Sequence, residues 1–299
     1  MKRFIIKLGV FAAPFITVYV LILTVAYYRN YAPYYLYVDK YNSFLLGASD
    51  AVSIGNLPDK HGIHSFAFGG DSYRDIKTKI EYILANNSAV NTIYISINDY
   101  GVSEYSLVVG NYNRWRTLFV RQNYGNVFEY INERYIKYFH AVANNLEAIF
   151  HPRIVEALEK IGIIDPPPQT IFTDLSASAR IEQTKRYTDN HFQARSEAMA
   201  QALVDILELC KKNNIALVGI KLPYAVELID LIEKNPQYQL GAEEIVKSYG
   251  IPVLDYRNIF VDHPDYLDDA LHVSTDGAQE LMKVFAKDIQ RLRDDGYIK

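Results

Sequence analysis

The sequence predicts an α/β fold, a three-layer sandwich in which a mostly parallel sheet is flanked by helices. Three observations predict it. Short apolar runs of strand length recur at 43–49, 63–70, 91–99, 214–223 and 251–256, continuous as the strands of buried parallel sheets are. Helical stretches alternate with them, which is the pattern of a sheet covered on both faces. Ser49, Gly70 and Asn98 fall at or near the ends of the first three runs, and ligands of such sheets bind at the carboxyl ends of the strands.

The elements follow in order. SFLLGAS at 43–49 reads as a buried strand entering a loop, and IHSFAFGG at 63–70 as a second strand. DSYRDIKTKIEYILANN reads as a helix with Ile76, Ile80 and Ile83 on its apolar face and Asp71 or Ser72 near its start. NTIYISIND at 91–99 is a third strand with a polar end. A helix over 193–213 leads into NIALVGIKLP at 214–223, a strand stopped by proline. A helix over 241–249 leads into IPVLDY at 251–256, and 275–295 reads as a closing amphipathic helix. Residues 101–190 break the alternation. They carry Trp115, many tyrosines, helical stretches around 126–161 and IIDPPPQT at 163–170. That composition predicts a helical insertion or cap, tied off by the rigid triple proline.

With 299 residues, 49% hydrophobic and 22% charged, the chain can bury a sizeable core and is too apolar for disorder. A net charge of −4 argues against a dedicated nucleic-acid binder. No HExxH or CxxC pattern occurs, so neither metal nor cofactor is expected. Cys210 is the single cysteine, which excludes an internal disulfide, and ALVDILELCKK places it in a helix core. Tyrosine is used 25 times against one Trp. Its flat apolar ring with a polar tip suits core edges, sheet faces and sugar-binding surfaces alike.

The first residues read MKRFIIKLGVFAAPFITVYVLILTVAYYRN. No charge occurs over 8–28, about 21 residues or roughly 30 Å of helix, enough to cross a membrane. Lys2, Arg3 and Lys7 precede this stretch, so the positive-inside rule places the N-terminus in the cytoplasm. The run ends in bulky tyrosines rather than a small-residue cleavage site, which favours an uncleaved single-pass anchor over a signal peptide. The expected organisation is a cytoplasmic tail at 1–7, an anchor at 8–28, a linker at 29–41 and a domain at 42–299.

The chemistry concentrates near the C-terminus, in YLDDALHVSTDGAQE. Asp269 and His272 are three apart and can share one face of a turn. Such a pair supplies the orienting carboxylate and base of a hydrolytic triad, with Asp268 as the competing carboxylate. Ser49 follows an apolar strand and can stand at the head of a helix as nucleophile. Gly70 permits close backbone approach, and Asn98 offers an amide to a developing oxyanion. The remaining histidines, His191 among them, read as structural or surface residues.

The ordered set Ser49, Gly70, Asn98 and Asp269/His272 resembles the SGNH, or GDSL-like, hydrolases. GASDA resembles their nucleophile block with Ala48 in place of aspartate. FAFGGDS resembles the second block. SIND resembles the third, with Ser96 where glycine is usual. DALHVSTDGA resembles the last. The resemblance covers 43–99 and 213–295, and its departures look like the membrane-anchored branch that serves cell-surface polysaccharide acylation. It implies a flavodoxin-like sandwich, a Ser49–His272–Asp269 triad, and an oxyanion hole built from Ser49, Gly70 and Asn98. It also implies a membrane-anchored O-acetyltransferase acting on an extracytoplasmic glycan of a bacterial cell, beside a multi-pass membrane O-acyltransferase as partner. The alternatives are a carbohydrate or lipid esterase of the same fold, and a non-catalytic glycan-binding or scaffold protein, for which Ser96 is the motive. Tyr112 and Trp115 are the candidate substrate-binding residues of the insertion.

Overall fold

The computed structural model describes residues 2–144 and 172–299. Five strands form one parallel sheet: β1 (Ser43–Leu46), β2 (Ile63–Ser65), β3 (Thr92–Ser96), β4 (Ala216–Lys221) and β5 (Val253–Asp255). Their order is β2-β1-β3-β4-β5, a doubly wound order whose switch point lies between β1 and β3. The register pairs Leu45 with Ser65 on one side and with Tyr94 on the other.

Alternate strand residues enter two separate cores, as a period of two requires. Phe44, Leu46, Ile93, Ile95 and Leu217 pack on one face with α3 (Tyr73–Asn86), α5 (Glu197–Lys212) and α7 (Ala242–Ser248). Leu45, Tyr94, Val218 and Ile220 pack on the other with α2 (Ser49–Val52), α6 (Val226–Lys234) and α8 (Thr275–Asp294). The α/β sandwich expected from the alternation is the fold observed. The cap of α3 is Ser72 rather than Asp71. Its hydroxyl accepts from the Asp75 N–H while the Asp75 carboxylate accepts from the Ser72 N–H, a complete capping box. Cys210 is buried in α5 as expected, and burial pushes its thiol up to about 12.

Within 101–190 the described parts are mostly helical. Short helices span Glu104–Val109, Tyr112–Trp115, Val127–Ile131 and Lys137–Asn144, and the chain returns through α4 (Ala177–His191). The part of the predicted 126–161 stretch beyond residue 144, and the triple proline, lie outside the described residues.

At the N-terminus, α1 (Lys2–Tyr35) is one helix of 34 residues that runs through the expected tail, anchor and most of the linker. Among the described residues no helix is long and apolar enough to cross a membrane, so the anchor expected at 8–28 is not borne out. Along it the Thr17 and Thr24 hydroxyls donate to the carbonyls of Ala13 and Val20, four residues back, at 2.8 Å.

The turn after β1 depends on a glycine. A Cβ on Gly47 would lie 2.6 Å from Ala51 Cβ and 2.8 Å from Ser96 Cβ. Both neighbours are buried and cannot step aside, so α2 reaches β3 only across a residue without a side chain. Gly47→Ala is expected to cost about 1–3 kcal/mol through overpacking, read as a lower midpoint of denaturant unfolding. An unchanged midpoint would contradict the packing described.

Candidate active site

β1 ends at Leu46, Gly47 and Ala48 turn the chain, and half-buried Ser49 opens α2. Gly69 lies beside it: a Cβ there would stand 3.9 Å from Ser49 Cβ. Gly70 is exposed with φ +79°, a left-handed conformation that favours glycine. Among the described residues the N–H groups of Ser49 and Gly70 donate to no backbone carbonyl. Asn98 follows β3 and is buried, its Oδ1 accepting from the Gly101 N–H at 2.8 Å.

His272 arrives on the loop between β5 and α8. An antiparallel bridge between Leu267 and Val273 pinches that loop, and the Asp268 N–H donates to the His272 carbonyl at 2.8 Å. The Val273 N–H donates to Ser53 Oγ at 3.3 Å, which docks the loop on the end of α2. The fold therefore gathers Ser49, Gly70, Asn98, Asp269 and His272 at the carboxyl edge of the sheet, around the switch point.

Asp269 rather than Asp268 partners the histidine. His272 Nδ1 lies 2.7 Å from Asp269 Oδ2, while Asp269 Oδ1 accepts the N–H groups of Leu271 and His272 at 2.8 and 2.9 Å. Asp268 is exposed. A carboxylate accepts only, so Nδ1 carries the hydrogen and Nε2 presents a lone pair. Nε2 is buried and, among the described residues, has no hydrogen-bond partner, Ser49 included. Burial pulls the imidazole pKa down, but the Asp269 hydrogen bond and the charges of Asp269, Asp50 and Asp268 outweigh it and hold it above the ordinary histidine value. For Asp269 burial acts upward, and the bonds and charge of His272 outweigh it, leaving the carboxyl below its usual range.

Residues that the motifs did not single out crowd this edge. Asp50, next to the expected nucleophile, is 2% exposed and accepts from Ser96 Oγ at 2.6 Å, Asn98 Nδ2 at 3.1 Å and the Ala51 N–H at 2.8 Å. Burial pushes the hydroxyl pKa values of Tyr73, Tyr100, Tyr187 and Tyr224 upward, and the Asp50 charge adds to each. His191, expected to be structural or superficial, stacks on Tyr187 with centroids 3.7 Å apart and stands 4.2 Å from the Tyr105 ring. Burial lowers its pKa, and the charge of His272 lowers it further, so the two imidazoles share one neighbourhood. The adjacency of Asp50 to Ser49 was the one signal in the sequence. Tyr73 opens α3, Tyr100 follows β3, Tyr187 and His191 come from α4 and Tyr224 from beyond β4, and no short-range pattern links them.

Trp115 requires a correction. It is 0% exposed, so it cannot offer a face to substrate. Its Nε1 donates to Asp71 Oδ1 at 2.7 Å, and Lys79 Nζ lies 4.2 Å from its ring. Lys79 in turn donates to Asp71 Oδ2 at 2.5 Å and to the Phe66 carbonyl at 2.6 Å, with both charged side chains fully buried. Asn111 Nδ2 donates to the Gly69 carbonyl at 2.9 Å and to Asp71 Oδ1 at 3.0 Å. Trp115 is thus part of the clamp behind the Gly69–Gly70 turn. Tyr112 is 43% exposed, but it lines a separate cavity of about 470 Å³ with Arg74, Glu81, Asn123, Tyr124 and Asp205, and none of the triad candidates reaches that cavity. Among the described residues no cluster of three His, Cys, Asp or Glu side chains is arranged to hold a metal ion.

No family model matches the chain, and no curated protein matches it. Among solved structures, a crystal structure of a protein of Bacteroides fragilis NCTC 9343, described as a "putative acylhydrolase", is similar at 13% identity and a TM-score of 0.44. The likeness spans 91% of this chain and 98% of that one.

The Asp269–His272 pair has a direct titration signature. The His272 ring is expected to titrate above 6.5, so that below that midpoint it is cationic and its Nε2 lone pair is lost. Asp269→Asn removes the largest raising influences and leaves burial opposed only by the charges of Asp50 and Asp268, which moves the midpoint down. Histidine ring signals followed by NMR against pH would show this. An unmoved midpoint would contradict the pairing.

Proposed function

We propose that the chain catalyses acyl transfer from an ester through Ser49, with water as the acyl acceptor. The observation that carries this is the Asp269–His272 pair, which holds Nε2 as a buried lone pair at the strand edge where Ser49 stands. In the proposed reaction Ser49 Oγ attacks the ester carbonyl carbon and its proton passes to Nε2. The N–H groups of Ser49 and Gly70 and the Asn98 amide donate to the oxyanion. The carbon–oxygen bond to the alcohol then breaks, and the alcohol leaves with the proton from Nε2. Water repeats the cycle on the acyl-serine, giving the acid and restoring Ser49. Asp269 keeps the imidazole in the required tautomer and balances its charge in between. Half-buried Ser49 and exposed Gly70 leave the site within reach of water. An O-acetylated glycan or another acyl ester is the substrate class this reading takes from the family resemblance. Transfer to a glycan, with acyl groups supplied by a multi-pass membrane O-acyltransferase, would use the same acyl-serine.

The full chain is expected to release the alcohol from a small aryl acetate, and Ser49→Ala and His272→Ala are each expected to lose about three orders of magnitude or more in kcat. Adding a polysaccharide acceptor separates the two fates of the acyl group: free acetate marks hydrolysis, acetylated polysaccharide marks transfer. Release unchanged in both variants would remove the triad reading, and no release from the full chain would favour a binding or scaffold role.

A second proposal concerns placement in the cell. Phe4, Ile6, Val10, Phe11, Phe15, Ile16, Val18, Val20, Leu21 and Val25 are all exposed on α1, an apolar surface larger than soluble chains leave open. With Arg3 and Lys7 at its basic end, α1 is proposed to hold the chain on a membrane surface through this apolar face. The full chain is then expected to co-sediment with lipid vesicles, and the double substitution Val18→Asp, Leu21→Asp is expected to leave it in the supernatant. The unaltered chain in the supernatant would contradict this placement.

A further inference from the structure

We infer that Asp50 is a positioning residue that locks the Asn98 carboxamide with its NH2 group toward the carbonyl-binding space beside Ser49, and that Ser96 holds Asp50 in place to do so. This rests on the acyl-transfer reading of Ser49.

An amide side chain has two orientations, and only one can serve an oxyanion. Asn98 Oδ1 accepts from the Gly101 N–H at 2.8 Å, and Nδ2 donates to Asp50 Oδ2 at 3.1 Å. A carboxylate can only accept. Rotating the amide by half a turn would set Oδ1 against the Asp50 oxygen and NH2 against the Gly101 N–H, so two bonds would become two repulsions. Either contact alone would bias the amide, and together they leave one orientation. The NH2 group has two hydrogens and Asp50 takes one. Ser96 Oγ, at 3.4 Å, is too distant to hold the second strongly.

Asp50 is built for this rather than for stability. It is buried, and among the described residues no cation pairs with it. A buried carboxylate without a counter-charge is costly and persists only where hydrogen bonds compensate. Here they come from Ser96 Oγ at 2.6 Å, the Ala51 N–H at 2.8 Å and Asn98. Ser96 stands where the resembling family carries glycine, and a glycine has no hydroxyl to donate. Its side chain also occupies the space that Gly47 leaves, since a Cβ on Gly47 would lie 2.8 Å from Ser96 Cβ. Gly47, Asp50 and Ser96 thus form one arrangement whose outcome is the orientation of Asn98. The Asp50 charge also reaches His272, raising its pKa together with Asp269 and Asp268 and against the burial of the ring.

The test uses the full chain and a double-mutant cycle on aryl acetate turnover. Asp50→Asn keeps shape and removes the charge. It is expected to lower kcat about 100-fold with KM held within about twofold, the pattern of a lost transition-state donor. Ser96→Ala is expected to lower kcat by about 10-fold, since Asp50 then loses its hydroxyl donor. In an Asn98→Ala background, Asp50→Asn is expected to cost less than about threefold, because the group it positions is gone. The acid limb of the pH profile should also move down in Asp50→Asn, which a folding defect would not cause. Equal losses in both backgrounds would overturn the proposal and leave acyl transfer standing. A readout free of activity accompanies it: in 15N-asparagine-labelled protein, solvent exchange of the Asn98 side-chain amide should be slow and should quicken in Asp50→Asn. Exchange unaffected by Asp50 would overturn the lock. No Ser49-dependent turnover, with exchange still governed by Asp50, would overturn the acyl-transfer reading and leave the lock in place.

Discussion

The edge of the sheet that carries the candidate site depends on one buried ion pair, Lys79 with Asp71. Both side chains are withdrawn from water, the ammonium lies among the rings of Trp115, Phe66 and Phe68, and the carboxylate accepts Lys79, Trp115 and Asn111 together. Burial drives the Asp71 pKa up and the Lys79 pKa down, and their mutual attraction opposes both shifts. Such a pair adds little over an apolar replacement, but losing one partner strands a charge at a cost of about 3–5 kcal/mol. Its value lies in what it joins. Asp71 immediately follows the Gly69–Gly70 turn, Lys79 stands on α3, and Asn111 and Trp115 open the insertion. One contact thereby fixes where the Gly70 N–H points and how the insertion leaves the sheet.

The rest of the site follows from the topology. A strand order of β2-β1-β3-β4-β5 opens a crevice between β1 and β3, and the chain leaves those two strands through Ser49 and Asn98. Gly47 lets α2 approach β3, which brings the Asp50 carboxylate to Ser96 and Asn98. The β5–α8 loop then docks His272 over α2 through the Val273 to Ser53 bond. Asp50 and Asn98 are each held by neighbours that are themselves buried and bonded, which is what a preorganised site requires.

Much of this was legible in the sequence because it rests on short-range signals. The five apolar runs became the five strands, each strand shorter than its run by a few residues. The capping signal at the start of α3 was realised by Ser72. The Asp269–His272 spacing became a hydrogen bond because it closes within one turn. What stayed hidden rests on contacts between distant segments. Trp115 looked like a sugar-binding ring because its partners, Asp71 and Lys79, lie about forty residues away in the chain. Asp50 stood in plain view beside Ser49, yet its purpose depends on Ser96 and Asn98 across the sheet. The abundance of tyrosine resolved the same way: Tyr73, Tyr100 and Tyr224 are buried and feel the Asp50 charge rather than forming an outer surface.

The central claim is that Ser49 is a nucleophile activated by His272. Covalent capture tests it without a choice of substrate. The full chain would be treated with a fluorophosphonate, which phosphonylates activated serines with loss of fluoride, and then weighed intact and as peptides. The account predicts a single adduct on Ser49 that is absent in His272→Ala. An adduct elsewhere, labelling of Ser49 that persists without His272, or no adduct at all would contradict it.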